Sequence, residues 1–183
     1  TYYGGTVNDQ GQGVFTDVAG NVYLAGETKN TNNIASGGFQ NAYAGGSRNA
    51  FFVKFNSSGA RLWATWYGGP DDEFGYGVAT DAAGNVYMSG GTESTSAIAS
   101  GGVQNTYSAS GDAFLVKFNS SGARLWATYY GGTGADADDP LAVDAAGNVY
   151  LAGLTESSSG IASGGFDNTF GGGLFDAYVV CFS

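Results

Sequence analysis

The stretch Asp81-Ala82-Ala83-Gly84-Asn85-Val86-Tyr87 decides the fold, because nearly the same motif is repeated at Asp17–Tyr23 and at Asp144–Tyr150. An aspartate that ends an apolar run can accept hydrogen bonds from the backbone N–H groups that follow it. A glycine three residues later tolerates the positive φ that a short hairpin loop requires. Each copy therefore predicts a β-hairpin turn. Positive φ is expected at three glycines: Gly20, Gly84 and Gly147.

The copies lie 64 and then 63 residues apart, and the phrase Tyr-Gly-Gly keeps the same steps from Tyr3 to Tyr67 to Tyr130. This period is long for a solenoid coil, but four strands of about 5–7 residues with their connections need roughly that length. The chain is therefore predicted to be one repeat domain over residues 1–183, with units of roughly 1–67, 68–130 and 131–183.

Apolar runs predict four strands per unit. The first two flank the Asp-x-x-Gly-Asn turn, and the third is apolar at nearly every position, which indicates that both of its faces are covered. In the first unit the strands are predicted at Gly13–Thr16, Val22–Gly26, Ala50–Phe55 and Leu62–Tyr67. Strand three returns as Ala113–Phe118 and Ala177–Phe182, and strand four returns as Leu125–Tyr130.

A long connection between strands two and three also repeats, as Ile34–Tyr43, Ile98–Tyr107 and Ile161–Phe170. Its fixed isoleucine and aromatic positions predict a crossing loop that packs over the end of the sheet. The polar stretches before it, Thr92–Ser96 and Thr155–Ser159, are expected to face water.

These patterns predict an all-β fold of three four-stranded antiparallel, propeller-like blades, with the last blade lacking its fourth strand. No segment has the apolar spacing of a helix, so helix should be nearly absent. Ser183 aligns with Asn119 and Thr1 with Thr128, so eight residues of the repeat frame are missing between the two ends. The chain starts at Thr1 and not at Met, which is typical of a processed or excised segment.

Composition excludes several classes of function. The chain has no histidine and one cysteine, which removes the usual nucleophile and base pairs, disulfides and thiolate metal clusters. Six basic residues and a net charge of −10 argue against a nucleic-acid or anionic-membrane surface. No run approaches the ~20 apolar residues of a membrane span. We therefore expect a protein that is not an enzyme.

The units resemble the SBBP repeat of bacterial and archaeal proteins. The resemblance is carried by Tyr67-Gly68-Gly69, by Ala79-Thr80-Asp81 through Tyr87, by Gly102-Val103-Gln104, and by Asp112-Ala113-Phe114 through Lys117. It implies a β-propeller repeat, found mainly in secreted and surface proteins without an assigned reaction. This chain departs from the pattern where Ile-Ala-Ser replaces a Pro-rich phrase, and where Asp167 replaces Gln in the third unit.

Acidic residues gather in one loop of successive units, just after Tyr-Gly-Gly, and dense carboxylates on a short loop can ligate Ca²⁺. The first unit offers only Asn8 and Asp9 there, and no EF-hand spacing is present, so solvated loop charge is the competing interpretation. The calcium candidates are Asp71, Asp72, Glu73, Asp136, Asp138 and Asp139. No other cofactor is predicted.

Asn56 and Asn119 each begin an Asn-Ser-Ser phrase at a predicted hairpin tip, which fits N-glycosylation, although the turn alone explains these residues. Cys181 stands on strand three where the other units have lysine, and is expected to be a small buried residue. The tryptophans are expected to pack between sheets, or else to be exposed and stack on a sugar. They are Trp63, Trp66 and Trp126.

Two functions stay open at this stage. The first is a secreted structural subunit, located outside the cell or on its surface, that joins copies of itself head to tail by strand complementation into a filament or fibre. The second is a carbohydrate-binding propeller module, closed as a dimer or as part of a longer chain. Neither calls for nucleic acid or membrane insertion. The assembly residues predicted for the first are Thr1, Tyr2, Tyr3, Ala177, Tyr178, Val179, Val180, Cys181 and Phe182.

Overall fold

The computed structural model describes the backbone of residues 1–183 and all side chains except those of Asp138 and Asp139. The described backbone contains β-strands and no helix, which confirms the predicted all-β class. The strands are β1 (Asp9–Thr16), β2 (Val22–Thr28), β3 (Asn49–Phe55), β4 (Arg61–Tyr67), β5 (Glu73–Thr80), β6 (Val86–Thr92), β7 (Asp112–Phe118), β8 (Arg124–Tyr130), β9 (Asp136–Val143), β10 (Val149–Thr155) and β11 (Asp176–Phe182).

The strands form three antiparallel sheets in chain order. The first sheet is β1-β2-β3-β4, the second is β5-β6-β7-β8, and the third has three strands, β9-β10-β11. Within the described residues no closed propeller is found. Each sheet is an up-and-down meander. Short turns join its first strand to its second, and the long crossing loop joins its second strand to its third.

The Asp-x-x-Gly-Asn turn forms as predicted. Asp81 Oδ1 accepts hydrogen bonds from the backbone N–H groups of Ala83 and Asn85, at 3.0 and 2.9 Å. Burial opposes the charge of Asp81, but the hydrogen bonds from Asn85 and Tyr87 and the charge of Lys117 together outweigh it and lower the pKa of this carboxyl. The predicted positive φ is confirmed at all three glycines: 77° at Gly20, 79° at Gly84 and 91° at Gly147.

The sheets pack face to face around shared apolar clusters. At the first junction Phe52 of the first sheet and Phe118 of the second meet with ring centroids 5.8 Å apart. At the second junction Leu115 packs with Val149 of the third sheet. The second sheet is thus covered on both faces, which is why β7 needs apolar residues at almost every position.

Strand β11 departs from that prediction. Strands β3 and β7 are buried on both faces, as expected, whereas Val179 of β11 is 73% exposed. The outer face of β3 packs against the first crossing loop and Tyr3, and that of β7 packs against the third sheet. The sequence of β11 is equally apolar, but no further sheet covers its outer face and no fourth strand lies beside it. The predicted coverage therefore holds for two of the three copies.

The crossing loop packs somewhat differently from the prediction. Its isoleucines, Ile34 and Ile98, are fully buried. The following residues lie along the outer strand, since Ser36 and Ala64 exchange both backbone hydrogen bonds, at 2.8 and 2.9 Å. The loop therefore extends the edge of the sheet beyond β4, and the equivalent loop does the same beside β8.

Candidate functional site

The candidate site consists of the exposed part of each outer sheet face and the free edge of β11. On the outer face of the first sheet, Phe51 and Val53 of β3 are buried under the first crossing loop and Tyr3, so the exposed part of that face lies on β1. Phe15 packs against the core shared with the second sheet, so Val14, the preceding residue of β1, points to the opposite face. Val14 is 71% exposed, whereas Val78, its equivalent in the second sheet, is 8% exposed. This outer face of the first sheet is called the leading face.

The other uncovered face belongs to the third sheet. Tyr178 and Val180 pack toward the second sheet, so Val179 between them points away from it. The equivalent of Val179 in the second sheet, Leu115, is completely buried by the third sheet. Tyr150 and Leu154 of β10 are also partly exposed. We call this surface the trailing face.

The free edge of β11 borders a groove of about 820 Å³. The groove lies between β11 and the crossing loop of the third sheet, where β4 and β8 lie in the other two sheets. In those sheets the loop is held by a threonine of the outer strand: Thr65 Oγ1 accepts from the Gln40 N–H, and Thr128 Oγ1 accepts from the Gln104 N–H, both at 2.8 Å. The third loop has no such partner among the described residues, and its Phe166 is fully exposed.

The N-terminal residues carry the sequence of an outer-strand end. Thr1-Tyr2-Tyr3 matches Thr65-Trp66-Tyr67, yet these residues belong to no strand. The Tyr3 hydroxyl donates to the carbonyl of Ile34 at 2.5 Å, as Tyr67 donates to Ile98 at the first junction. Tyr3 therefore already occupies the place on the leading face that a preceding sheet would give to its last tyrosine.

The cysteine prediction is wrong. Cys181 is exposed, because it lies on the trailing face, where no sheet covers it. The lysine at its position in the first sheet, Lys54, reaches into the next sheet and donates to the Ser120 carbonyl at 3.3 Å. The one in the second sheet, Lys117, lies 3.5 Å from Asp81 Oδ2. The first contact crosses to the neighbouring sheet, whereas the second is made within the second sheet, to its own Asp-x-x-Gly-Asn turn.

The acidic candidates do not come together as one cluster. Asp72 binds Ser47 and lies 3.7 Å from the Arg48 guanidinium, and Asp71 is exposed. The side chains of Asp138 and Asp139 lie outside the described residues. Among the residues that the structure describes, no group of three or more acidic or cysteine side chains could hold a metal. Calcium binding stays a prediction.

Glu73 and Asp136 instead have a structural role that the sequence did not reveal. Glu73 is fully buried and accepts from the Gly69 N–H at 3.0 Å and the Thr92 hydroxyl at 2.9 Å. Asp136 does the same with Gly132 and Thr155, and Asp9 binds Gly5 and Thr28. Each carboxylate thus fastens the Tyr-Gly-Gly passage to its own sheet. The repeated spacing of acid and threonine was the available signal.

The polar stretches that precede the crossing loops are accordingly not fully in water. Thr92, Ser94, Thr155 and Ser157 are buried, and the other residues of the two stretches are exposed. Ser157 Oγ, for example, donates to Asp136 Oδ2 at 2.8 Å. The expectation of a wholly solvated stretch is wrong, because alternate hydroxyls bind the buried carboxylates.

Burial also raises the pKa values of two carboxyl groups at the junctions between sheets. Burial raises the pKa of Glu73 to about 7, against the hydrogen bonds it accepts. Burial, together with the charge of Asp136, raises the pKa of Asp112 to about 6. The carboxyl groups of Glu73 and Asp112 therefore keep their protons to a higher pH than an exposed carboxyl group does.

The glycosylation candidates, Asn56 and Asn119, form the predicted turns. Asn56 Oδ1 accepts from the N–H groups of Ser58 and Ala60, at 3.1 and 2.8 Å, and Asn119 repeats this arrangement. The hairpin geometry accounts for both asparagines. Glycan attachment remains a prediction.

The tryptophans are packed between structural elements. Trp63 and Trp66 are 4% and 3% exposed, and Trp126 packs against the core of the second junction. Trp63 also donates from its ring N–H to the Ser120 carbonyl at 3.2 Å. The packed tryptophans that the sequence predicted are confirmed for Trp63 and Trp66, and Trp126 is partly buried. Carbohydrate binding stays a prediction.

No family matches the chain in a scan against family models, and a search of curated proteins found none that matches. The resemblance to the SBBP repeat therefore rests on the motifs quoted above. Within the residues described by the structure, no helix has the length and apolar character to cross a membrane.

Proposed function

We propose that this chain is a non-enzymatic structural subunit of an extracellular assembly, in which copies join head to tail by strand complementation into a filament or fibre. One observation carries the proposal. Surfaces equivalent to those buried at both internal junctions are exposed at the two ends of the stack of sheets. The trailing face of one copy therefore fits the leading face of the next.

The two junctions between sheets within one copy serve as the model for the contact between copies, which is called the joint. At each of them an apolar residue of strand three meets the inner strands of the following sheet, as Leu115 meets Val149. At the joint, Val179 of one copy would take the place of Leu115, and Val14 of the next copy would take the place of Val78. Burial of two such side chains favours association, because each fully buried valine contributes roughly 1.5–3 kcal/mol.

The free edge of β11 supplies the second part of the joint. An unpaired strand edge readily accepts a further strand. Residues Thr1 to Tyr3 have the sequence of an outer-strand end and are not in a strand, so the neighbouring copy can donate them to the groove beside β11. Thr1 would then hold the third crossing loop, as Thr65 and Thr128 hold the first two.

The head-to-tail arrangement favours a filament over a ring. A contact between two different surfaces propagates without limit unless the rotation between copies closes it. Three blades fall below the 4–8 of ordinary propellers, so a ring would require at least a second copy. The resemblance to secreted and surface repeats supports an extracellular place for the assembly.

The decisive experiment uses one charged substitution on each face. Val179→Asp should destroy the trailing face and Val14→Asp the leading face, so each variant alone should be monomeric in sedimentation velocity. Mixing the two should restore one intact joint per pair and give dimers that grow no further. Electron microscopy of the unmodified chain should show filaments, and a closed dimer ring would contradict the filament.

Two controls protect this experiment. Val18→Asp places the same charge on a fully exposed turn residue outside both faces, and should assemble as the unmodified chain does. Deleting Thr1 to Gly5 should abolish assembly while circular dichroism retains the β-structure. An unmodified chain that stays monomeric at every concentration, or single variants that still dimerise, would overturn the proposal.

A further inference from the structure

A group of three side chains surrounds the carbonyl of the crossing-loop isoleucine in the first two sheets. At the first junction the Tyr67 hydroxyl and the Arg124 guanidinium both donate to the Ile98 carbonyl, at 2.5 and 3.3 Å. The Tyr67 ring meets the Phe118 ring edge to face, with centroids 6.0 Å apart. We call such a group of tyrosine, phenylalanine and arginine a socket.

A phenylalanine of the first crossing loop enters this socket. The centroid of the Phe39 ring lies 6.3 Å from that of Tyr67 and 6.4 Å from that of Phe118. The guanidinium carbon of Arg124 lies over the Phe39 ring, 4.3 Å from its centroid. Aromatic pairs, and a cation over an aromatic face, stabilise a contact beyond the apolar area that it buries. One loop residue of the first sheet thus fastens that sheet to the second.

The second junction lacks both halves of this contact. Tyr130 and Phe182 form the same edge-to-face pair, with centroids 5.8 Å apart, and Tyr130 donates to the Ile161 carbonyl at 2.6 Å. The described backbone of the third sheet has no fourth strand, so no arginine completes the group. The loop residue at the position of Phe39 is Val103, which is 86% exposed. Phenylalanine and arginine therefore occur together at one junction and are missing together at the other.

The leading face carries a complete socket. The Tyr3 hydroxyl and the Arg61 guanidinium donate to the Ile34 carbonyl at 2.5 and 3.4 Å. The Tyr3 ring meets the Phe55 ring edge to face, with centroids 5.8 Å apart. These contacts reproduce those of the first junction one by one, and Arg61 is exposed. We call Tyr3, Phe55 and Arg61 the leading socket.

The third crossing loop carries the matching phenylalanine. Phe166 has the position in the repeat that Phe39 has in the first loop, and it is fully exposed. We propose that Phe166 of one copy enters the leading socket of the next copy, as Phe39 enters the socket at the first junction. The inference rests on the proposed function, and it names the side chains by which one copy selects the correct end of another.

This contact works in one direction only. Phe166 lies at the trailing end of the molecule and the leading socket at the other, so two copies that meet tail to tail bring together two phenylalanines and no socket. Two copies that meet head to head bring together two sockets and no phenylalanine. A planar guanidinium stacks on an aromatic ring, which suits Arg61 to this role. The contact therefore favours head-to-tail order over both symmetric alternatives.

A double-mutant cycle on a single joint tests the inference. A mixture of the Val14→Asp and Val179→Asp chains forms one joint per pair, between the trailing face of the first and the leading face of the second. Phe166→Val in the first chain imitates Val103 and should raise the dissociation constant roughly tenfold in sedimentation equilibrium. Arg61→Ala in the second chain should also raise it. Both changes together should cost less than the product of the single effects, because each removes the same contact.

Val103→Ala in the Val14→Asp chain is the matched control. Val103 is an exposed residue at the same loop position, but it belongs to the second sheet, which meets no other copy. This change should leave the dissociation constant as it is. Phe166→Tyr keeps the aromatic ring and should retain most of the affinity. Because Phe166 is fully exposed, its variants should keep the circular dichroism of the unmodified chain.

The outcomes separate the two proposals. A dissociation constant that Phe166→Val does not change, or effects of Phe166→Val and Arg61→Ala that multiply independently, would overturn the socket contact and leave head-to-tail assembly standing. Absence of a dimer in the mixture of the Val14→Asp and Val179→Asp chains would overturn the head-to-tail joint, and the socket contact with it.

Discussion

At the scale of single residues, the Asp-x-x-Gly-Asn turn shows how closely a short phrase can define a conformation. The aspartate binds two backbone N–H groups, and the tyrosine two positions after the asparagine donates to the same carboxylate, as Tyr87 does to Asp81 at 3.2 Å. The glycine between them must adopt positive φ. All of these requirements are visible in seven residues, and so the turn was predictable.

Gly84 provides the test of this turn. A Cβ atom on Gly84 would meet only Ser120 Cβ, at 3.9 Å, so a side chain has room and the cost of substitution is the φ of 79°. Gly84→Val should lower the free energy of unfolding by more than about 1 kcal/mol, since β-branched residues disfavour positive φ. The melting temperatures of the variant and the unmodified chain measure this loss of stability. Ala82→Val, an exposed change in the same turn, is the control, and equal melting temperatures would contradict the assignment.

At the scale of strands and connections, the sequence did not predict the buried carboxylate that fastens each Tyr-Gly-Gly passage to its sheet. Its hydrogen-bonding partners lie about 19 residues away on the next strand, at Thr28, Thr92 and Thr155. Only the pairing register brings acid and hydroxyl together. Strand positions were predictable from local apolarity, but these contacts depend on which strands become neighbours.

Glu73 gives this arrangement a measurable pH dependence. Burial raises the pKa of Glu73 to about 7, above its value of about 4.3 in the unfolded chain. The unfolded state then gives up its proton first, so stability is full below about pH 4 and is lost as the pH rises toward 7. The carboxyl groups with lowered pKa values, such as Asp17 and Asp81, lose stability only under more acidic conditions.

Melting temperatures at about pH 5 and about pH 8 should therefore differ, with the chain more stable at the lower pH. Glu73→Gln removes the titrating carboxyl group and keeps one acceptor oxygen, for either the Gly69 N–H or the Thr92 hydroxyl, and it should reduce the difference. Glu93→Gln, an exposed change one strand away, should preserve it. A Glu73→Gln variant with the full pH dependence would show that other groups cause it.

Strand β11 also shows the difference between what local apolarity predicts and what depends on neighbouring sheets. Its sequence is as apolar as that of β3 and β7, and the sequence therefore predicted coverage on both faces. Coverage is a property of neighbours, however, and Val179 and Cys181 have none on the trailing face. Sequence periodicity identifies a strand that can be covered, and the arrangement of sheets decides whether it is.

At the scale of the whole molecule, the exposed Cys181 offers a probe of the joint. In the first junction the residue at its position, Lys54, contacts the Ser120 carbonyl. Ser57 aligns with Ser120, so Cys181 of one copy should lie near Ser57 of the next. A Ser57→Cys variant treated with a short bismaleimide should give ladders of cross-linked copies. Ser47→Cys, elsewhere in the first sheet, should give far fewer, and equal yields would exclude this docking geometry.

The Tyr-Gly-Gly passages also decide how such a fibre would respond to mechanical load. Within a copy, tension passes from sheet to sheet along the covalent backbone, through Gly68-Gly69 and Gly131-Gly132, whose ends are fastened by buried carboxylates. Between copies no covalent bond carries the load, and only packed faces and one donated strand resist it. Under pulling, the fibre would part at the joints while each three-sheet copy stays folded, and the released ends could rejoin once the load is removed.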